Sequence, residues 1–596
     1  MRSQYFYMRG SILYGILQHL LRVLHGRYGQ IGPANIVLAF LSAWAIGSSV
    51  ATAVCAYTPL PYFDSWSLYD PLLYNWRFLT SQHNEHRILT TKLAFFADLK
   101  FFNGQGLIPY ILVFFAQAIT CVLVFRLVRC NYGNSSRLNV RLFFATWVCM
   151  FSAIQFTNFT WPFQMAFVGV YALIIGALYA CVLSSYSQRA LGGYFWVACG
   201  LVATATYTMA NGLLGWLVFL ALMVWLRRPW TEIAAVSIST VVFFVLYLHN
   251  YKTPNHSANP LESVKQIRDI ALFASAWLGS PVAELLDFRY LGWNPLSSDQ
   301  RSVVAAAVGL IGMGIFVSTV FRLLIVQRSK VISSEKALTA LSSFIILSGL
   351  VTALGRLNLP LVEATSSRYT TPALIFWTII VLKIFRGIER GSHRHSVIAG
   401  LIAVSMGIWI GANQPVRLKQ AEIASLRFRE AELAMVAGVF DKSVWGYVYP
   451  RPEEIRDNVN HLHIDGLSLF AAAWPHWIGR SLSGSFRVVS GGEYLGSFDG
   501  AVTFDNNKGL RASGWAFVPN LKEPPEFIMI ADESGDIIGI GRTGWSRPDV
   551  VRHFRGVVTG KPGWVAYAKP LSQCPVKAYA LIPGTRSVFA LAGPGA

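Results

Sequence analysis

Apolar runs near 20 residues recur along most of the chain, and each is long enough to cross a bilayer core of about 30 Å. Read by length and flanking residues, they predict about eleven helical spans, near 35–57, 105–128, 141–157, 164–185, 193–209, 211–226, 231–248, 301–325, 337–355, 370–387 and 396–412. Backbone polar groups must pair internally in lipid, so the pattern predicts an α-helical polytopic membrane bundle. Residues 1–30 place Leu and Ile at helical spacing with Arg2, Arg9, Arg22 and Arg27 among them, which predicts an amphipathic helix on the membrane surface. Residues 261–286 have a similar texture but are short for a span, so a re-entrant or interfacial helix is expected there. Past residue 413 the character becomes soluble. Residues 415–440 read as a helix, and from about 485 the apolar period shifts towards two, with Gly, Asn, Asp and Pro between short runs. That texture predicts a C-terminal β-sandwich. Four regions follow: a surface segment over 1–30, a transmembrane domain over 31–412, a helical connector over 413–484 and the β-domain over 485–596.

Composition agrees. The 596 residues are 54% hydrophobic and 13% charged, about half the charged fraction of a soluble domain. The net charge of +20 would suggest nucleic acid in a soluble protein, but here Arg and Lys gather in alternate loops. With the N-terminus in the cytoplasm, Arg126, Arg129, Arg137, Arg141, Arg189, Arg227, Arg228, Arg322, Arg328, Lys330, Lys383, Arg386, Arg390 and Arg394 all fall on the inner side. Segments 58–104 and 249–300 and everything past 413 are then extracytoplasmic. The first apolar run is full length behind a long basic segment, so it is expected to remain as an anchor in the plasma (inner) membrane. Six of seven Cys (Cys55, Cys121, Cys130, Cys149, Cys181, Cys199) lie in or beside apolar runs, and Cys574 has no evident partner, so neither a disulfide framework nor a metal spacing is visible.

Ionisable residues at the mouth of such a bundle are costly, which makes them the first candidates for chemistry. Asp64 stands in Tyr62-Phe63-Asp64-Ser65-Trp66, just past the first span. A carboxylate in a semi-apolar setting suits a general base, with Asp70 a weaker alternative. Glu85, His86 and Arg87 open a second apolar stretch; a solvated helix start is the plain alternative. Gly355-Arg356 and Ser366-Ser367-Arg368-Tyr369 put two Arg on the outer side, against the topological bias. Guanidinium forks suit phosphate, with headgroup snorkelling as the alternative. Gln155, Asn158, Trp161 and Gln164 offer amides and a ring of the kind a sugar pocket uses, or an ordinary interfacial turn. His249, Asn250, Lys252 and His256 form another outer polar group of low specificity. No phosphate-binding loop, zinc helix motif or serine elbow is present.

Taken together, the many-span bundle, Asp64 in the first outer loop, Asn84-Glu85-His86-Arg87 and the late Gly-Arg…Ser-Arg-Tyr segment resemble the GT-C superfamily of integral-membrane glycosyltransferases over about 35–412. The resemblance implies a polyprenyl-phosphate-linked sugar donor and a cell-envelope glycan or lipid-linked acceptor. It implies Asp64 as catalytic base, with Glu85 as the candidate second acid; the adjacent acid pair common in that family is not found here. Arg87, Arg356, Arg368 and Tyr369 are then candidates for the donor phosphate, and His86, Asn158, Trp161 and Gln164 for the sugar. Some members hold a divalent metal ion, for which no ligands are assigned. Some carry a carbohydrate-binding β-domain, where Trp515, Trp545 and Trp564 would be platforms or core. A transporter, flippase or assembly protein for lipid-linked glycans is the alternative, and would place ionisable groups at broken helices near mid-membrane.

Overall fold

The computed structural model describes residues 32–70, 73–129, 136–187, 189–254, 263–326, 331–389, 393–504, 509–569 and 575–593. The surface helix expected over 1–30 lies outside them, as do Cys130, His256, Arg328, Lys330, Arg390 and Cys574. Contacts divide the chain into two compact units. The first holds the described residues up to Cys55, Asn75–Ala94 and Ile108–Gln420; the second holds Ala56–Tyr74, Phe95–Leu107 and everything from Ala421.

The main helices are α1 (Pro33–Ala56), α2 (Leu89–Phe102), α3 (Leu107–Arg129), α4 (Ser136–Met150), α5 (Met165–Tyr186), α6 (Gly193–Thr206), α7 (Leu214–Trp225), α8 (Trp230–Leu248), α9 (Ile267–Leu278), α10 (Ser280–Leu285), α11 (Ser298–Phe321), α12 (Ser333–Arg356), α13 (Thr370–Glu389) and α14 (His393–Val436). Among the described residues eight helices are long and apolar enough to cross a membrane, and three further apolar helices, Leu138–Met150, Gly193–Thr206 and Ala210–Trp225, have only 10–17 residues. An apolar helix stands at every position where a span was expected, but those three are shorter than the roughly 20 residues a span needs. The region expected to be re-entrant or interfacial is a bent pair, Ile267–Leu278 with Ser280–Leu291, turning by 52°. These long apolar helices mark a membrane protein. Phe40, Phe115, Val241, Ile311 and Leu401 are exposed on them, an apolar surface broader than soluble monomers present.

Packing explains two local features. At the α9–α10 bend, a Cβ on Gly279 would stand 1.8 Å from the Ala305 carbonyl oxygen, and one on Gly309 would stand 1.8 Å from that of Ser275. Glycine is therefore what lets α9 and α11 approach backbone to backbone. The second feature corrects the sequence reading. The last span and the helix after it are one element, α14, with Pro415 inside it. Proline removes the N–H that would bond four residues back, at Gly411. Trp44 Nε1 of α1 donates to that carbonyl at 3.0 Å, so the orphaned acceptor is met from another helix.

In the second unit the strands are β1 (Arg487–Val488), β2 (Leu495–Phe504), β3 (Gly509–Phe517), β4 (Phe527–Ala531), β5 (Ile537–Trp545), β6 (Gly563–Ala568), β7 (Lys577–Leu581) and β8 (Ser587–Ala590). They form one eight-stranded sheet in the order β1-β8-β7-β4-β5-β6-β3-β2, where two packed sheets were expected. Alternation shows that each strand buries one face; it does not say how many sheets share the core. Here the sheet curls. Register shifts fall within β2 opposite β3, in β4 opposite β5 and in β5 opposite β6, and such bulges bend strands. Ser497 of β2 bridges Ala592 just past β8. The core holds Leu510, Ile528, Ile530, Trp564 and Phe589. Trp564 is 1% exposed, and its ring lies 2.6 Å from where a Cβ on Gly514 would be. The indole occupies the space that glycine leaves, so Trp564 is core. Trp515 packs on Phe554, with ring centroids 5.3 Å apart, and Trp545 is half-buried.

Candidate functional site

Residues 83–87 form a tight turn. His83 and His86 exchange both backbone hydrogen bonds, at 2.7 and 2.9 Å. Asn84 between them has φ +48°, a left-handed conformation that Asn tolerates better than most side chains. The turn is anchored by Arg87, whose guanidinium donates to the carbonyls of Tyr247 (2.9 Å), Thr80 (2.8 Å) and His249 (2.6 Å). Gln82 pairs with the backbone of Lys252 in both directions. The 249–252 polar group is thus brought onto the 80–87 segment. Beneath, the buried Lys92 ammonium donates to the carbonyls of Phe78 and Ser81, at 2.6 and 2.9 Å. Burial, with Arg87 nearby, lowers its pKa to about 8.

His86 and Glu85 point their chemistry elsewhere. His86 Nδ1 accepts the Ala210 N–H at 3.4 Å, and its ring meets the edge of Phe167 with centroids 6.5 Å apart. Burial lowers the imidazole pKa to about 4, against an upward pull from Glu85. The imidazole is therefore neutral near pH 7, as an accepting Nδ1 requires. Glu85 stands 3.7 Å from Arg356 at the end of α12, both partly exposed.

The other candidates meet a second segment. Asn158 Nδ2 donates to the Arg368 carbonyl at 3.1 Å and to Thr371 Oγ1 at 2.7 Å. Thr157 bonds Ser367 through both its backbone N–H and its hydroxyl. These contacts fix the backbone that carries Arg368, whose guanidinium lies 3.8 Å from Glu363 and over the Tyr369 ring at 5.0 Å. Tyr369 is buried, 6.1 Å from the Trp277 ring. Trp161 is buried and stacked on Phe163 at 5.5 Å. Gln164 is fully buried, and both ends of its amide lack a hydrogen-bond partner among the described residues, as do Asn158 Oδ1 and Arg368 Nε. Unmet buried polar atoms cost about 1–3 kcal/mol each, so native proteins keep few without a reason.

Asp64 belongs to the second unit, in a short 3-10 turn over Phe63–Leu68. Tyr62 packs edge-on to Phe428 at 5.3 Å, while Trp66 and Leu68 are buried. Burial raises the Tyr62 phenol well above its ordinary pKa. Phe63 has φ +47°. A bulky residue rarely adopts that conformation, and it persists only where surrounding packing over-determines it. Two candidate acids directly follow a non-glycine left-handed residue, Phe63 before Asp64 and Asn84 before Glu85, whereas Asp70 follows Tyr69 at φ −103°. Asp70 lies in the same unit, just past the turn.

No group of three His, Cys, Asp or Glu that would hold a metal ion occurs among the described residues, so no metal ligands are assigned. One polar cluster escaped the sequence reading: Glu284, Asp287, Arg301 and Arg417, all in the first unit. The signal was present as two acids at the end of an amphipathic stretch. Comparison with protein-family models, curated proteins and solved structures gives no match.

Proposed function

We propose that this chain is an integral-membrane glycosyltransferase of the GT-C kind. It would cross the plasma membrane about eleven times with its N-terminus in the cytoplasm and its β-domain outside. It would move a sugar from a polyprenyl-phosphate donor to a cell-envelope glycan or lipid-linked acceptor. The observation that carries the reading is the shared backbone setting of the two acids, each placed directly after a non-glycine left-handed residue. Such conformations gather at functional sites, where they aim a side chain.

In this reading Asp64 takes the proton of the acceptor hydroxyl, whose oxygen attacks the anomeric carbon while polyprenyl phosphate leaves with the bonding electrons. A single displacement inverts the anomeric centre. Arg356 and Arg368 meet the growing phosphate charge. Glu85 holds Arg356, and Arg87, with three carbonyls on its guanidinium, holds the turn that carries Glu85. Neutral His86 and the open amide of Gln164 supply hydrogen bonds suited to sugar hydroxyls.

The test is the cell-surface glycan profile of a deletion strain, by mass spectrometry, after complementation with wild type, Asp64→Asn or Glu85→Gln at equal membrane levels. Loss of one defined sugar, restored by wild type and not by Asp64→Asn, is the expected result. Restoration by Asp64→Asn removes Asp64 as the base. A deletion that leaves every glycan intact overturns the reading. The bent helix pair carrying Glu284 and Asp287 favours the second reading, transport of a lipid-linked glycan, because broken helices with ionisable groups build transporter sites. In that case glycans would change in amount while Asp64→Asn had no effect.

A further inference from the structure

A cavity of about 250 Å³ in the first unit is lined by Glu284, Asp287, Arg289, Arg301, Ser366 and Arg417, together with Glu363. Its charges are tied to one another. Asp287 is 2% exposed and is met by Arg289 (2.7 Å), Arg301 (3.1 Å) and, at 3.9 Å, Arg417. Glu284 is 3.0 Å from Arg417, which also bonds Gln420 Oε1 at 2.9 Å. Three guanidiniums and two carboxylates form this network, while the third acid of the lining, Glu363, pairs with Arg368 at 3.8 Å. Yet Arg417, 1% exposed, leaves its Nε without a hydrogen-bond partner.

We infer that this cavity binds one neutral sugar residue of the acceptor. The mixing of both charge signs in one lining decides the class. A phosphate would have to enter beside Asp287 and Glu284, and a metal cation beside three arginines. A polyol meets both needs, since each hydroxyl donates to a carboxylate and accepts from a guanidinium or Ser366. The volume lies below the roughly 300–1,000 Å³ of pockets for drug-sized ligands, which suits a single ring. The loop over 361–369 lines the cavity and also carries Arg368. The acceptor role rests on the transferase reading; saccharide binding does not.

The test uses the full chain in lipid nanodiscs. Saturation-transfer NMR with a panel of hexoses, pentoses and N-acetylhexosamines is expected to give a signal for at least one sugar. Ser366→Phe, which fills the cavity, should weaken that binding at least ten-fold, and Gly314→Ala, outside the lining and with open space around it, should leave it unchanged. A second measurement needs no variant: the saccharide should slow phenylglyoxal labelling of the half-exposed Arg289, read by peptide mass, and inorganic phosphate should not. No signal from any sugar, unchanged binding in Ser366→Phe, or protection by phosphate alone overturns the inference. Sugar binding with glycans unaffected by deletion keeps the site and overturns the acceptor role. Loss of glycan in Asp64→Asn without sugar binding keeps the transferase and removes this site.

Discussion

The indole N–H of Trp44 bonds the carbonyl of Gly411 at 3.0 Å, the carbonyl that Pro415 leaves without a backbone donor. The pair makes a sharp prediction. Trp44→Phe keeps the ring and strands the acceptor, so it should destabilise by about 1–3 kcal/mol. Adding Pro415→Ala returns the backbone donor and should recover most of that loss. Thermal unfolding of the two single variants and the double variant in detergent checks it. Independent, additive effects would show that the indole bond does not serve the proline.

Glu85 and Arg356 are 3.7 Å apart and partly exposed, where an ion pair contributes about 0–1 kcal/mol to stability. Glu85→Gln and Arg356→Met should therefore unfold at nearly the wild-type temperature while cutting glycan transfer at least 100-fold. A large drop in melting temperature with transfer preserved would make the pair purely structural.

Gly309→Ala puts a methyl 1.8 Å from the Ser275 carbonyl, and rigid helices cannot absorb that overlap. Expression of folded protein should fall sharply, with a loss of at least about 3 kcal/mol, at or above the usual 1–3 kcal/mol of overpacking. Gly314→Ala in the same helix, with open space around it, should be tolerated. Size-exclusion profiles of the two variants give the comparison.

His86 is held neutral, its pKa lowered from 6.5 to about 4 by burial. A depressed imidazole means the unfolded chain takes up the proton first. Its share of stability is complete above pH 6.5 and is lost progressively as pH falls from there to about 4. His86→Asn keeps an acceptor for the Ala210 N–H and removes the titration. Its melting temperature should fall less than that of wild type between pH 7 and 5. Parallel curves would assign the acid sensitivity to another group.

The helical positions were legible because period and length are local properties of the chain. The pairing of Glu85 with Arg356 was not, because two charges far apart in sequence carry no local mark of contact. Arg87 was a phosphate candidate through the resemblance alone; that its donors meet the carbonyls of Thr80, Tyr247 and His249 could not be read, because a carbonyl acceptor is invisible in a sequence. Trp161 followed the same course: an aromatic beside amides suggested a sugar platform, while packing buries it against Phe163. The sandwich expectation failed at the next level up. Alternation in Gly509–Phe517 reports a buried face, whereas curling depends on bulges and on the fit of Trp564 over Gly514. The span over 396–412 and the helix over 415–440 read as two elements, because nothing nearby in sequence announces that Trp44 supplies the donor that Pro415 lacks.

The curled sheet has a consequence for association. Its terminal strands are β1, only two residues long, and β2, whose Phe498 N–H already donates to Ala592 at 2.7 Å. Long unpaired strand edges invite other chains to add on, and short or occupied ones refuse them. The two-residue β1 edge is therefore closed to strand addition, and a chain that adds a strand to this domain must do so along β2, away from Phe498.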